Sequence, residues 1–185
     1  MNLRALTLIA ATLAGTALSA QEGPRFGLQA GINLPQSDLK DAVDSKVGFN
    51  LGAQVTFDLR GGHMLRPRLD YTWFPEYTET FAGDSIGTTF TRTSLGVDYL
   101  YFVEGKPQGF YLTGGIAAVQ WKVDVNVTLG GFGSGSDSET TNKLALAAGA
   151  GYQFNKTVGA DLRYIKGKAW EGDLDLIQAG VNVRF

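Results

Sequence analysis

Apolar and polar side chains alternate along most of this chain with a period of two. From position 47 to 59, Val47, Phe49, Leu51, Ala53, Val55, Phe57 and Leu59 take one phase. Gly48, Asn50, Gly52, Gln54, Thr56 and Asp58 take the other. Successive side chains on a strand face opposite sides, so this segment reads as a strand with one apolar and one polar face. The same alternation runs through residues 26–34, 65–73, 95–103, 144–154, 158–164 and 174–185. An additional segment, 110–125, is less regular, and its apolar phase changes near Ala117-Ala118, which predicts a β-bulge there. Helical periodicity fits none of these windows.

The eight predicted strands are joined by connections of two lengths. Residues 60–64, 105–109 and 155–157 are short turns, whereas 36–46, 76–90, 126–142 and 166–173 are mostly longer and polar. Short turns on one rim and long loops on the other describe an up-and-down antiparallel barrel. An even strand number puts both ends of the barrel on the short-turn side.

The chain opens differently. Arg4 precedes an apolar stretch over residues 5–14, and Ala17-Leu18-Ser19-Ala20 offers small residues for cleavage. This layout predicts a secretory signal peptide over residues 1–20, leaving residues 21–185 as one barrel domain. The mature segment then has one basic residue fewer than the chain's 16, against 18 acids, so no basic field invites nucleic acid. There is no cysteine, which removes disulfides, thiolate metal sites and a lipid-anchored cysteine. After residue 20, no apolar run approaches the roughly 18 residues of a helical span, so any membrane crossing is made by strands.

Alternation alone does not say which face is outside, because a soluble barrel has the same period with its apolar face inward. Three features choose the membrane. The polar face is rich in glycine and carries both signs of charge, which suits a narrow lumen. Tyr71, Trp73, Tyr99, Tyr101, Tyr152 and Tyr164 crowd the apolar face toward strand ends, where membrane interfaces favour them. The final strand closes on Phe185. The mature chain resembles the small eight-stranded outer-membrane barrels of the OmpX and OmpA-transmembrane-domain type, often grouped as porin-family β-barrel proteins. The resemblance is carried by Phe110-Tyr111-Leu112-Thr113-Gly114-Gly115, by residues 147–152 and 160–164, and by Val181-Asn182-Val183-Arg184-Phe185. It implies an all-β, eight-stranded antiparallel up-and-down transmembrane β-barrel in the outer membrane of a Gram-negative-type bacterium. It further implies a terminal aromatic, Phe185, that serves as the signal read by the barrel-assembly machinery.

Candidate chemistry is sparse. His63, the only histidine, falls in a Gly-Gly-His turn and reads as a solvated turn residue. No nucleophile–base pair or multi-ligand zinc site can be built on it, so a hydrolase acting on lipid A lacks its base. Residues 130–136 resemble a phosphate loop only in their glycines and read as a flexible surface loop. Glu171, Asp173 and Asp175 read as solvated loop carboxylates, with a rim cation as the sharper alternative. Trp73, Trp121 and Trp170 read as interface anchors. The one constellation to expect is a lumen charge network of Arg66, Arg68, Asp70, Arg92, Asp98, Asp161 and Arg163. These lie on the polar faces of three strands, and charges there require partners.

The expected role is non-catalytic and without cofactor: envelope integrity or surface interaction through the outer loops. The expected surroundings are outer-membrane lipid and the assembly machinery, with a monomeric barrel and a surface partner met by the loops. The alternative is an OmpW-like barrel that passes small hydrophobic molecules. An apolar lumen patch on the outer half would favour it, and Leu100 and Phe102 on the inner half support it weakly.

Overall fold

The structure is a computed structural model describing residues 23–81, 84–129 and 133–185. The expected signal peptide lies outside the described residues. Among the described residues ten strands and one short helix follow one another: β1 (Arg25–Pro35), α1 (Ser37–Ala42), β2 (Gly48–Asp58), β3 (His63–Trp73), β4 (Tyr77–Phe81) and β5 (Asp84–Phe102). Then come β6 (Gly109–Leu129), β7 (Gly133–Gln153), β8 (Val158–Ala169), β9 (Gly172–Asp173) and β10 (Leu176–Arg184).

Eight of these close a ring. The order is β10-β1-β2-β3-β5-β6-β7-β8, and β10 pairs with both β1 and β8. Every pairing is antiparallel. Closure leaves no strand edge unpaired within the ring, the condition for crossing a bilayer without helices. One gap interrupts the ladder: β2 and β3 pair from Phe49↔Trp73 to Gln54↔Arg68 and resume at Phe57↔Leu65, skipping the register beside Pro67. Proline has no N–H to donate, so the interruption falls where the chain lacks a donor.

The period-two pattern sorts side chains between two environments. Phe26, Leu28, Leu51, Leu69, Leu112, Leu146, Leu162 and Val181 all point outward and are exposed. A soluble monomer rarely shows a contiguous apolar patch beyond a few hundred Å². A girdle of this kind around the whole ring is a lipid-facing surface. The polar phase turns inward, where Gln29, Asn50, Gln54, Thr72, Gln153, Gln178 and Asn182 are all buried.

The bulge expected near Ala117-Ala118 is absent. Pairing of β6 with β5 runs unbroken from Ser85↔Thr128 to Phe102↔Tyr111, and with β7 from Gly109↔Gln153 to Leu129↔Gly133. The apolar phase changes because the surroundings change. Below Ala118 the outward residues Phe110, Leu112 and Ile116 meet lipid, and the inward Tyr111 and Thr113 each carry a hydroxyl. Above it the outward Gln120 is exposed, while Val119 and Trp121 turn inward and are buried. The strand has left the membrane and follows the rule of a water-soluble barrel.

The loops expected at 76–90 and 126–142 are correspondingly strands. β4 pairs with the start of β5, and β6 and β7 continue as a hairpin far beyond the ring. Together β4, β5, β6 and β7 form a four-stranded sheet standing above one side of the barrel. The connection at 36–46 contains α1, whose Leu39 is fully buried.

Candidate functional site

The barrel interior is layered. At the short-turn end Met64, Leu100, Phe102 and Tyr111 form a buried apolar cluster, with the Phe102 and Tyr111 rings 4.9 Å apart. At the loop end Leu39 and Val43 of the α1 segment pack with Phe74, Phe90, Val119, Trp121, Ile165, Leu174 and Leu176. Charged residues occupy the level between.

Asp98 is the centre of that middle layer. Its Oδ2 lies 2.8 Å from Arg66 Nη2, 3.0 Å from Arg68 Nε and 2.9 Å from Arg163 Nη1. Arg66 reaches across the lumen with Nη1 to Asp161 Oδ2 at 2.8 Å, and the Tyr111 hydroxyl donates to the same oxygen at 3.1 Å. Arg68 also pairs with Asp70, which accepts further hydrogen bonds from Gln29 and Ser94. Arg163 donates from Nη2 to Gln178 Oε1 at 2.6 Å. Two glycines make room for these groups: a Cβ on Gly52 would lie 2.6 Å from Asp70 Oδ1, and one on Gly115 would collide with Asp98.

Arg92 lies apart from this arrangement. It is buried, makes no ion pair among the described residues, and places its guanidinium 5.8 Å from the centroid of the Trp121 ring. Arg184 is also buried in the lumen, with Nη1 4.0 Å from the Met64 sulfur. Tyr111, Gln29, Ser94 and Gln178, which join the network, and Arg184, which lies in the same lumen, were not among the expected residues. Four of the five are polar side chains on the inward phase of their strands, the signal that could have found them. Tyr111 shares that inward position but reads as one more barrel aromatic.

Several single residues take places other than those expected. Trp121 is no interface anchor, since only 2% of it is exposed and it lies inside the barrel. Trp73 does lie on the outside, stacked with Tyr71 and against Phe49. His63 is not a free turn residue. It opens β3, shares a hydrogen bond through Nδ1 with the Tyr99 hydroxyl, and lies against the Tyr101 ring on the outer face. Asp175 is no solvated loop carboxylate: it is buried and accepts from Ser37 Oγ, the Tyr164 hydroxyl and the Gly167 amide. Asp173 faces Lys168 at 3.4 Å. Among the described residues no group of three His, Cys, Asp or Glu is placed to hold a metal ion. Of the glycine-rich stretch, residues 130–132 lie outside the described residues. On β4, the Tyr77 hydroxyl donates to Glu79 at 2.9 Å, and that bond holds the phenol pKa above its ordinary value.

A closed ring with a lipid-facing girdle and a polar, charged interior defines an integral outer-membrane barrel. Residues 5–185 match the family described as the outer membrane protein beta-barrel domain, and the chain belongs to that family. Among solved structures it is similar to Ail, the attachment invasion locus protein of Yersinia pestis, at 14% identity. That match has a TM-score of 0.62 and covers 88% of this chain and 97% of the other. It is also similar to the N-terminal β-barrel domain of Pseudomonas aeruginosa OprF, at 14% identity and TM-score 0.58, covering 87% and 97%. A major outer membrane protein from Thermus thermophilus aligns at 11% identity and TM-score 0.55, covering 89% and 100%. At these identities the likeness is one of fold. No curated protein matches the chain by sequence.

Proposed function

We propose that this protein is a non-catalytic barrel with a side-chain-filled lumen that holds a β-sheet above the cell surface for interaction with other surfaces. One observation carries the reading. β7 pairs with β6 along its whole length but with β8 only from Ala145 onward, so among the described residues 133–144 have a free edge. An unpaired edge offers a row of N–H and C=O groups to an incoming strand. Here that edge is Gly-, Ser- and Thr-rich and extends well beyond the ring. Ail, the attachment invasion locus protein, agrees with a surface role for such a barrel. Ail has also been solved with the heparin analogue sucrose octasulfate. Acids outnumber lysines along the outer segments of this chain, so a polyanion is not the partner we propose.

The test removes the hairpin tip symmetrically. Val125 and Asp137 are paired, so replacing residues 126–136 by Asn-Gly preserves the register. The trimmed barrel should still migrate differently before and after boiling on an SDS gel. Cells displaying it, which keeps only residues 137–144 of the edge, should attach less than cells displaying the intact protein. Pure protein in planar bilayers should give no stable large conductance, because eight strands enclose little more than their own side chains. A reproducible ion-selective conductance would instead promote the transport reading.

That second reading, an OmpW-like passage for small hydrophobic molecules, has one observation in its favour. The outer half of the lumen does carry an apolar patch, including Phe90, Val119, Trp121 and Ile165. It rests on the charged layer and is covered by the α1 segment, which supports the filled lumen.

We also propose that the protein is exported with residues 1–20 removed and inserted as a monomer by the assembly machinery, which reads Phe185. Phe185 is 71% exposed on the lipid face, and its amide donates to the Phe26 carbonyl at 2.8 Å. Deleting it should lower the amount inserted in cells while refolding of purified protein into detergent suffers little. Equal insertion of both forms in cells would remove Phe185 from this role.

A further inference from the structure

We propose that the outer mouth of the barrel is a binding site for a small cationic amphiphile, a compact apolar body bearing one protonated amine. A cavity of about 450 Å³ opens there, within the range of small-molecule sites. Its walls are apolar: Phe90 and Val123 from β5 and β6, Ala42 of α1, and Ala169, Trp170 and Leu174 from the chain around β9. It has a floor. Leu39, Trp121, Ile165 and Leu176 are at most 2% exposed and close the space toward the charged layer, so the cavity is a dead end.

The charge around the opening has one sign. Asp38, Asp137 and Glu139 line it, and no lysine or arginine does. Two of these acids are fixed in place by donors that leave their negative charge uncompensated: Asp38 Oδ2 accepts the Asp173 amide at 2.7 Å, and Glu139 Oε1 accepts Trp170 Nε1 at 2.5 Å. The second bond ties the Trp170 ring, half-buried and carried on a left-handed backbone with φ of 51°, to the opposite wall. An apolar ligand gains by covering these walls, an amine gains at the rim, and a carboxylate is repelled.

Three probes of one shape isolate the charge: 1-aminoadamantane, 1-adamantanol and 1-adamantanecarboxylate. Mature protein labelled with 5-fluorotryptophan and held in lipid nanodiscs reports binding through its Trp170 fluorine resonance, assigned with Trp170→Phe. The amine should shift that resonance saturably and bind about tenfold more tightly than the alcohol, with the gap shrinking at high salt. The carboxylate should leave it unmoved. Glu139→Gln and Asp38→Asn keep their acceptor oxygens, and should weaken the amine while sparing the alcohol. Equal shifts from all three probes would mean partitioning into lipid and overturn the proposal. A Trp170 resonance that no probe moves would also overturn it.

Discussion

Asp98→Asn should destabilise the refolded barrel by about 3–5 kcal/mol, the cost of leaving buried charge without its counter-charge. Three guanidiniums, those of Arg66, Arg68 and Arg163, share one oxygen of this carboxylate. An amide offers one of them an acceptor but neutralises none. Arg92→Met is the informative contrast. Arg92 is equally buried but faces no carboxylate within ion-pair distance, so replacing it with an apolar side chain of similar length should cost little or add stability. Urea titration of both variants in detergent, read by the shift in gel migration, compares them directly. Equal midpoints would mean that burial alone, rather than the shared carboxylate, sets the energetics of this layer.

Trp121→Ala should cost a similar amount, about 3–5 kcal/mol, through the cavity left by a large buried ring. The loss should be local. Trp121 belongs to the cluster that holds Leu39 and Val43 beneath α1, so the outer cap should loosen while the membrane ring persists. Trypsin should then cut at Lys40 or Lys46 in folded, heat-modifiable protein far faster than in wild type. Trp73→Ala, which removes an outward ring, should leave those lysines as resistant as before. Unchanged cleavage in Trp121→Ala would show that α1 is held by something other than this cluster.

The ring was legible in the sequence because lipid and lumen impose opposite demands on successive residues. Wherever both apply, as from Phe49 to Phe57, each side chain declares its face. The pattern fails to mark the outer sheet because neither demand applies there. Thr88, Ser136 and Thr140 sit in paired strands but read as polar loop. Trp121 was misplaced for a related reason: its aromatic character suits both a membrane interface and a buried core, and only its height on β6 decides. Alternation puts Arg66, Asp98, Asp161 and Arg163 on inward faces. Which guanidinium meets which carboxylate depends on the stagger between strands far apart in sequence, and no local pattern carries that.

The reversal of polarity at Ala118 also acts as a depth gauge. On β6 the outward apolar run extends from Phe110 to Ala118, and Gln120, Lys122 and Asp124 follow on the same face. Those nine positions fall within the roughly 9–11 residues of a tilted transmembrane strand. In a thicker bilayer Gln120 and then Lys122 would sink into hydrocarbon, or the membrane would have to thin around the ring. The chain thus encodes the thickness of the membrane it fits as well as its own shape.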